Sequence, residues 1–157
     1  MDKTRGLKRR TVLGVLGAGA AVGAGCGGET PGSDSGTAVQ STTPFDAGPV
    51  TDFPAMTWKL LAAPNNVIIG RDAMGLFAYT SICTHEACTV RFNPTAPTSA
   101  TGTTRCPCHM STYNGNGEVQ PGSRATRNLP HFQVTVTAGR VTVNPGMTVD
   151  AAARTMV

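Results

Sequence analysis

The sequence has few charged and few aromatic residues. Among its 157 residues, 14% are charged and 5% are aromatic, whereas 19 are glycine and 11 are proline. This composition favours short strands joined by many turns over a helical bundle. The length suits one modest domain with a leader and a linker, because two full hydrophobic cores need a longer chain.

Clusters of basic residues are absent after residue 10. The net charge of +4 comes from the first 25 residues, which hold five basic side chains and one acidic side chain, and the remainder contains equal numbers of both. A nucleic-acid-binding protein needs a basic surface that survives in the mature protein. We therefore expect no nucleic-acid partner.

The sequence also lacks an apolar run of the roughly 20 residues that a membrane-spanning helix needs. Its N-terminus instead combines Lys8-Arg9-Arg10 with a weakly apolar stretch of mainly glycine, alanine and valine up to residue 24. This arrangement resembles a twin-arginine export signal over residues 1–25. A retained leader that anchors the chain in the membrane is the alternative.

Cys26 follows the small residues Gly23, Ala24 and Gly25. This tetrapeptide resembles a lipobox, in which the cysteine becomes lipid-modified and forms the new N-terminus. Gly23 departs from the leucine that is usual at its position, and an incidental thiol in a leader is the alternative. Export with a lipid anchor would place the mature protein in the periplasm or on the outer face of the cytoplasmic membrane.

Residues 27–50 are rich in glycine, threonine, serine and proline and contain few large apolar side chains. Such a segment cannot bury enough surface to order itself, so we expect a flexible tether. The expected organisation is an export signal (1–25), a lipid-attachment cysteine with a linker (26–50), one domain (51–146) and a C-terminal tail (147–157).

Short runs of apolar and β-branched residues, separated by turn residues, fill the domain. They predict strands at residues 57–62, 66–70 and 76–82. The alternation of residues 132–137 resumes at residues 140–143 after Ala138-Gly139, which predicts a hairpin with one buried face. The domain is therefore expected to be predominantly antiparallel β.

Two boxes of cysteine and histidine carry the chemistry. Residues 83–88 read C-T-H-E-A-C, and residues 106–113 read C-P-C-H-M-S-T-Y. The combined pattern, C-x-H-x-x-C with C-P-C-H-x-S-x-Y, resembles that of Rieske iron-sulfur proteins over residues 76–143. The resemblance implies the all-β Rieske fold, an antiparallel β-sandwich base with a small cluster-binding subdomain, and one 2Fe-2S cluster.

The resemblance also assigns roles to the residues of the boxes. Cys83 and Cys106 would ligate the inner iron, and His85 and His109 the outer iron, which takes the electron. Neutral imidazoles leave the cluster less negative than four thiolates would, so they raise its potential.

Three further features follow from the same resemblance. Cys88 and Cys108 would form a disulfide between the two loops, which an oxidising compartment permits. The hydroxyls of Ser111 and Tyr113 would bond cluster and cysteine sulfur and raise the potential. Met110 stands where the family usually has glycine, and residues 120–132 resemble the proline loop that covers the cluster, with Arg124 changing its surface charge.

Competing interpretations are weaker. Structural zinc would need four ligands and leave two thiols unexplained, and C-P-C-H fits the usual finger spacings poorly. A ring-hydroxylating oxygenase needs two further histidines for its mononuclear iron, whereas only His131 remains once His85 and His109 are assigned. We expect His131 to be a partly buried structural residue.

The predicted function is a one-electron relay on the outer side of the cytoplasmic membrane, without a complete active site of its own. The expected partners are a larger membrane or periplasmic redox subunit, a cytochrome or quinol, and the membrane itself through the lipid anchor. One alternative is the quinol-oxidising Rieske subunit of a cytochrome bc-type complex. Another is a redox-sensing or assembly module that responds through Cys88 and Cys108.

Overall fold

A computed structural model describes residues 37–93 and 104–157. The predicted export signal and Cys26 lie outside these residues. The described residues form nine β-strands and one turn of 3-10 helix, Val50–Asp52. The strands are β1 (Phe45–Pro49), β2 (Thr57–Leu61), β3 (Val67–Asp72), β4 (Gly75–Thr80), β5 (Arg91–Phe92), β6 (Thr104–Arg105), β7 (Thr112–Tyr113), β8 (His131–Thr137) and β9 (Arg140–Val149).

All strand pairs are antiparallel, and they form two sheets. Six strands form the base sheet in the order β1-β9-β8-β4-β3-β2, and three short strands form the cluster sheet in the order β5-β6-β7. The predicted all-β class is therefore confirmed. Within the described ranges, no helix is long and apolar enough to span a bilayer.

The hairpin of β8 and β9 shows how local sequence sets the register. Thr137 pairs with Arg140 across Ala138 and Gly139, which both have positive φ, at 49° and 74°. Such a two-residue turn matches the twist of the strands that it joins. β9 is longer than predicted, because it continues past a register shift to pair with the start of β8.

Strands β3 and β4 are buried on both sides, which explains their continuous apolar sequences. Alternate residues enter two separate cores: Ile69 and Ala78 pack into one core with β8 and β9, whereas Ile68 and Tyr79 pack into the other core with the cysteine boxes. The base sheet is thus stabilised on one side and supports the cluster-binding part on the other.

The folded unit extends beyond residues 51–146 at both ends. β1, which lies in the segment expected to be a linker, pairs with the edge of β9, and the N–H of Ala38 donates to the Ala87 carbonyl at 2.8 Å. In the expected tail, Thr155 forms a bridge with Leu76. These contacts are mainly backbone hydrogen bonds, which side-chain composition does not reveal.

Candidate metal centre

Each of the two cysteine boxes folds into a turn, and the two turns have the same hydrogen-bond pattern. In residues 83–88, the carbonyl of Cys83 accepts from the N–H of Ala87 at 3.0 Å, and the N–H of Cys83 donates to the Cys88 carbonyl at 2.8 Å. In residues 106–111, Cys106 makes the same two bonds, with Met110 and Ser111, at the same lengths. We call these two segments the cluster loops.

A disulfide joins the cluster loops. Cys88 and Cys108 are bonded, with their Cα atoms 6.6 Å apart, across 20 residues of sequence. The expected pairing is therefore present. Both loops are held at a fixed separation by a covalent bond, which favours a preformed site between them.

Cys83 and Cys106, the first residue of each loop, are free thiols and are buried. Burial raises the pKa of the Cys106 thiol, and the neighbouring Cys83 thiol adds to this effect. A coordinated metal deprotonates a thiol outright and compensates the charge of the thiolate. Two adjacent buried thiols of this kind therefore suit a metal centre better than a free dithiol.

His85 and His109 lie together at the outer end of the loops. Their ring centroids are 4.9 Å apart with an interplanar angle of 81°, and the His109 side chain is 36% exposed. The Nδ1 atom of His109 is nevertheless buried and has no hydrogen-bond partner among the described residues. Glu86 places its Oε2 atom 3.4 Å from that nitrogen without forming a hydrogen bond.

These donors fit a 2Fe-2S cluster with mixed ligands. The family's cluster takes two thiolates and two imidazole nitrogens, and the cluster loops supply two free buried thiols next to a buried, unpartnered imidazole nitrogen. His131 is not part of this group, since the described residues whose ligand atoms lie close enough together to hold a metal do not include it. Its ring instead packs against Tyr79, with 5.4 Å between the ring centroids, and its Nδ1 lies 3.2 Å from the Leu129 carbonyl oxygen.

Both predicted hydroxyl residues are buried beside the loops. The Tyr113 hydroxyl lies 3.2 Å from Cys83 Sγ, and burial together with this contact raises the pKa of Tyr113 to about 12. The Ser111 hydroxyl accepts from the N–H of Ala125 at 2.9 Å, so its own proton stays free to be donated. Each residue can therefore offer a proton to a sulfur atom.

Thr84 is a site residue that the sequence motifs do not mark. Its N–H donates to the Tyr113 hydroxyl at 3.3 Å, and its own hydroxyl donates to the Arg127 carbonyl at 2.7 Å. Arg127 belongs to the predicted proline loop, so Thr84 connects that loop to the first cluster loop. The only sequence signal for this role is its place between Cys83 and His85.

Comparison with known proteins agrees with this geometry. Residues 45–133, more than half of the chain, match the Rieske [2Fe-2S] domain family. The iron-sulfur subunit of the cytochrome b6-f complex of Prochlorococcus marinus is 36% identical over 101 residues, which cover 64% of this chain and 53% of that protein. The chloroplastic subunit of Pisum sativum is 33% identical over 97 residues, covering 60% and 40%.

The chain thus spans about half the length of the curated relatives that it matches. Among solved structures, the plasma membrane Rieske protein of Synechocystis PCC 6803 is 22% identical, with a TM-score of 0.46 over 63% of this chain and 97% of that one. The matched family, the two cluster loops and their thiol and imidazole donors lead to one conclusion: the chain belongs to the Rieske [2Fe-2S] domain family and carries the 2Fe-2S cluster of that family.

Proposed function

We propose that the protein relays single electrons, with Cys83 and Cys106 on the inner iron and His85 and His109 on the outer iron. The observation that carries this proposal is the gradient of burial, because the thiols are buried while the imidazoles reach the surface. When bound, the cluster supplies a one-electron redox step at its histidine-ligated iron. An exposed imidazole brings that iron close to a docked partner.

The surrounding hydroxyls support a high reduction potential. Tyr113 lies against Cys83 Sγ, and Ser111 retains a free proton in a fully buried position. Hydrogen bonds to sulfur stabilise the added electron. The midpoint should therefore lie in the upper part of the range of about −150 to +300 mV that such centres cover.

We also propose that the protein works outside the cytoplasm, in an oxidising compartment. A disulfide persists in an oxidising environment, and Cys88–Cys108 is such a bond. The twin-arginine-like sequence of residues 1–25 and the lipobox-like Cys26 support export and anchoring at the outer face of the cytoplasmic membrane. Determining the mass of the N-terminal peptide from membranes would test this: a diacylated Cys26 supports the anchor, whereas an intact N-terminus argues against it.

The proposed role is that of an electron-transfer subunit or shuttle that serves a larger redox protein. A second candidate is quinol oxidation in a cytochrome bc-type complex, which the names of the curated relatives favour. An exposed ligand imidazole can accept the proton of a quinol as well as pass on its electron. The large subunit that co-purifies from native membranes distinguishes the two roles: a cytochrome b supports quinol oxidation, and a soluble oxidase subunit supports the relay.

Voltammetry of the purified protein tests the relay itself. Reversible one-electron reduction, with the Cys88–Cys108 disulfide still intact by thiol titration, would support it. In a redox-sensing module, the Cys88–Cys108 disulfide would instead be reduced at the potential at which voltammetry shows electron uptake. Absence of a reversible cluster signal would contradict the proposal.

A further inference from the structure

The charged residues of the folded domain are unevenly distributed. Residues 81–130, which include the cluster loops, contain four arginines and two glutamates and therefore carry two positive charges in excess. The other described residues contain equal numbers of acidic and basic side chains. The whole positive excess of the described residues thus belongs to the part of the molecule that holds the cluster.

Two of these arginines are neighbours in the cluster sheet. Arg91 of β5 pairs directly with Arg105 of β6, and both side chains are exposed. Their sequence neighbours Phe92 and Thr104 also pair, and they point to the opposite, inner side of the sheet. Like charges placed directly opposite each other on a sheet destabilise it.

The next strand and the proline loop continue this surface. Arg105 pairs with Thr112 of β7, which begins three residues after His109. The N–H of Thr112 donates to the Ser123 hydroxyl at 3.0 Å, and the exposed Arg124 follows Ser123. Arg91 and Arg105 therefore lie side by side on the exposed face of the sheet, and Arg124 follows the residue that bonds the next strand; we call these three arginines the arginine surface.

No acidic group among the described residues neutralises the arginine surface, since none of its three guanidinium groups forms an ion pair or a hydrogen bond with another described residue. The two glutamates nearby are engaged elsewhere: Glu86 lies against His109, and Glu118 accepts from the side-chain amides of Asn114 and Asn116. Residues 94–103, which connect β5 to β6, contain no acidic side chain.

In the base sheet, by contrast, basic residues form ion pairs with acidic ones. Lys59 pairs with Asp52, Arg140 with Asp46, and Arg154 with Asp72. Charges there are compensated within the domain. The free arginines beside the cluster therefore stand out as a local feature of the protein rather than as a general property of its surface.

We propose that the arginine surface is a docking site for an acidic redox protein, which presents carboxylates around its own redox centre. This inference rests on the proposed electron relay and names the chemistry of its partner. Guanidinium groups form paired hydrogen bonds with carboxylates, which fix orientation as well as attract. Arg105 directly precedes Cys106, the first residue of the second cluster loop, so a partner bound there lies beside that loop.

The test is the rate of electron transfer to c-type cytochromes of opposite charge. The reduced holoprotein is mixed in a stopped-flow instrument with an oxidised acidic cytochrome or with an oxidised basic one. One electron leaves the cluster and converts the ferric haem to the ferrous haem. Ionic strength is varied between about 10 and 300 mM, over which exposed charges become screened.

We expect the acidic cytochrome to react about tenfold faster at low ionic strength than at high ionic strength. The Arg91→Gln/Arg105→Gln double variant should lose most of this acceleration. The matched control is Lys59→Gln/Arg140→Gln, which removes the same charge from the base sheet and should keep the rate within about twofold of the wild type. Voltammetry of each variant verifies that the cluster itself is unchanged, so a failure of docking and a failure of the relay are distinguishable.

Three results would overturn the proposal. Equal loss of rate in both double variants would show that only net charge matters. Faster reaction with the basic cytochrome would show the opposite preference. The third result combines two observations: the wild type floats with phosphatidylglycerol vesicles while Arg91→Gln/Arg105→Gln does not, and the double substitution leaves the cytochrome rates unchanged. It would assign the surface to an anionic lipid headgroup instead.

Discussion

Ala87 and Met110 occupy equivalent positions in the two cluster loops. Each donates its backbone N–H to the carbonyl of the cysteine four residues earlier, at 3.0 Å, and each has a positive φ, of 53° and 61°. The left-handed region is costly for any residue with a Cβ and is readily adopted by glycine. The glycine that the resemblance leads us to expect at position 110 thus has a backbone explanation.

Replacing Met110 with glycine should stabilise the protein. The substitution removes the strain of a left-handed residue with a Cβ, which stabilises the folded state. It also makes the unfolded chain more flexible, which opposes folding, and the net gain in unfolding free energy is about 0.5 to 1 kcal/mol. Met110→Ala is the control, because it removes the side chain and retains the strain. Urea unfolding of the oxidised holoprotein should place the midpoint of Met110→Gly above that of Met110→Ala, and the reverse order would refute the backbone explanation.

Replacing Tyr113 with phenylalanine should lower the midpoint potential of the cluster. The hydroxyl lies 3.2 Å from Cys83 Sγ, and its loss removes a hydrogen bond that stabilises the reduced state. Tyr79→Phe is a matched control, since the Tyr79 hydroxyl is also buried but forms no hydrogen bond with a cysteine sulfur among the described residues. Protein-film voltammetry should show a shift for Tyr113→Phe alone; equal midpoints for the two variants would contradict the assigned role.

Arg154 connects the C-terminal residues to both parts of the domain. Its guanidinium group stacks on Phe77 at 3.9 Å from the ring centroid, pairs with Asp72 at 2.7 Å and donates to the Asn116 Oδ1 atom at 2.8 Å. The Arg154 side chain is only 9% exposed. Replacing it with methionine leaves the Asp72 carboxylate without its ion-pair partner, so we expect a loss of roughly 2 to 3 kcal/mol of unfolding free energy.

The exposed pair of Arg140 and Asp46 provides the comparison for Arg154. Both of these side chains are about half exposed, and such pairs contribute little to stability. Chemical denaturation of Arg140→Met should therefore give nearly the wild-type curve, while Arg154→Met should unfold at clearly lower denaturant. Similar curves for the two variants would show that the contacts of Arg154 do not stabilise the fold.

Burial of His131 makes stability depend on pH. Burial lowers the pKa of His131, and the nearby positive charge of Arg154 adds to this shift. The unfolded chain therefore binds a proton more readily than the folded protein does. The stabilisation by neutral His131 is complete above the unfolded pKa of about 6.5 and is lost as pH falls through that value toward the folded pKa, at up to ~1.4 kcal/mol per pH unit.

His131→Gln removes this titration. Between about pH 7.5 and 5, the unfolding free energy of the wild type should fall more steeply than that of His131→Gln. The carboxyl groups of Asp46 and Asp72 act mainly below this range. Burial raises the pKa of Asp72, but hydrogen bonds from arginine lower the pKa of both groups, so their stabilisation is lost only as pH falls through the unfolded pKa of about 4. Parallel pH profiles for the two proteins would exclude His131 as the cause.

Much of the fold follows from local sequence patterns. Strands β2, β3, β4, β8 and β9 and the turn at Ala138-Gly139 are predicted, because alternation and turn residues are short-range signals, whereas the two-residue strands β5, β6 and β7 are not. The cysteine boxes combine six donor residues in one recognisable order. β1 was not predicted, since Phe45–Pro49 is stabilised by pairing with β9, which lies far away in the sequence. The role of Arg154 was missed for the same reason.

The arginine surface shows the limit of reasoning from charge patterns. Arg91, Arg105 and Arg124 are too far apart in the chain to form a basic cluster in the sequence. The pairing of β5 with β6 brings Arg91 and Arg105 together, and the bond between Thr112 and Ser123 places the segment of Arg124 beside β7. The equivalence of the two cluster loops was likewise hidden, because it lies in backbone hydrogen bonds and in φ angles rather than in the spacing of cysteine and histidine.

Pulsed EPR of the reduced holoprotein tests the central claim most directly. If Cys83, His85, Cys106 and His109 are the ligands, as proposed, the cluster should give a Rieske-type signal with strong hyperfine coupling to two histidine nitrogens. A reduced 2Fe-2S signal without nitrogen coupling, or purified protein that contains zinc and no EPR-active cluster, would contradict it.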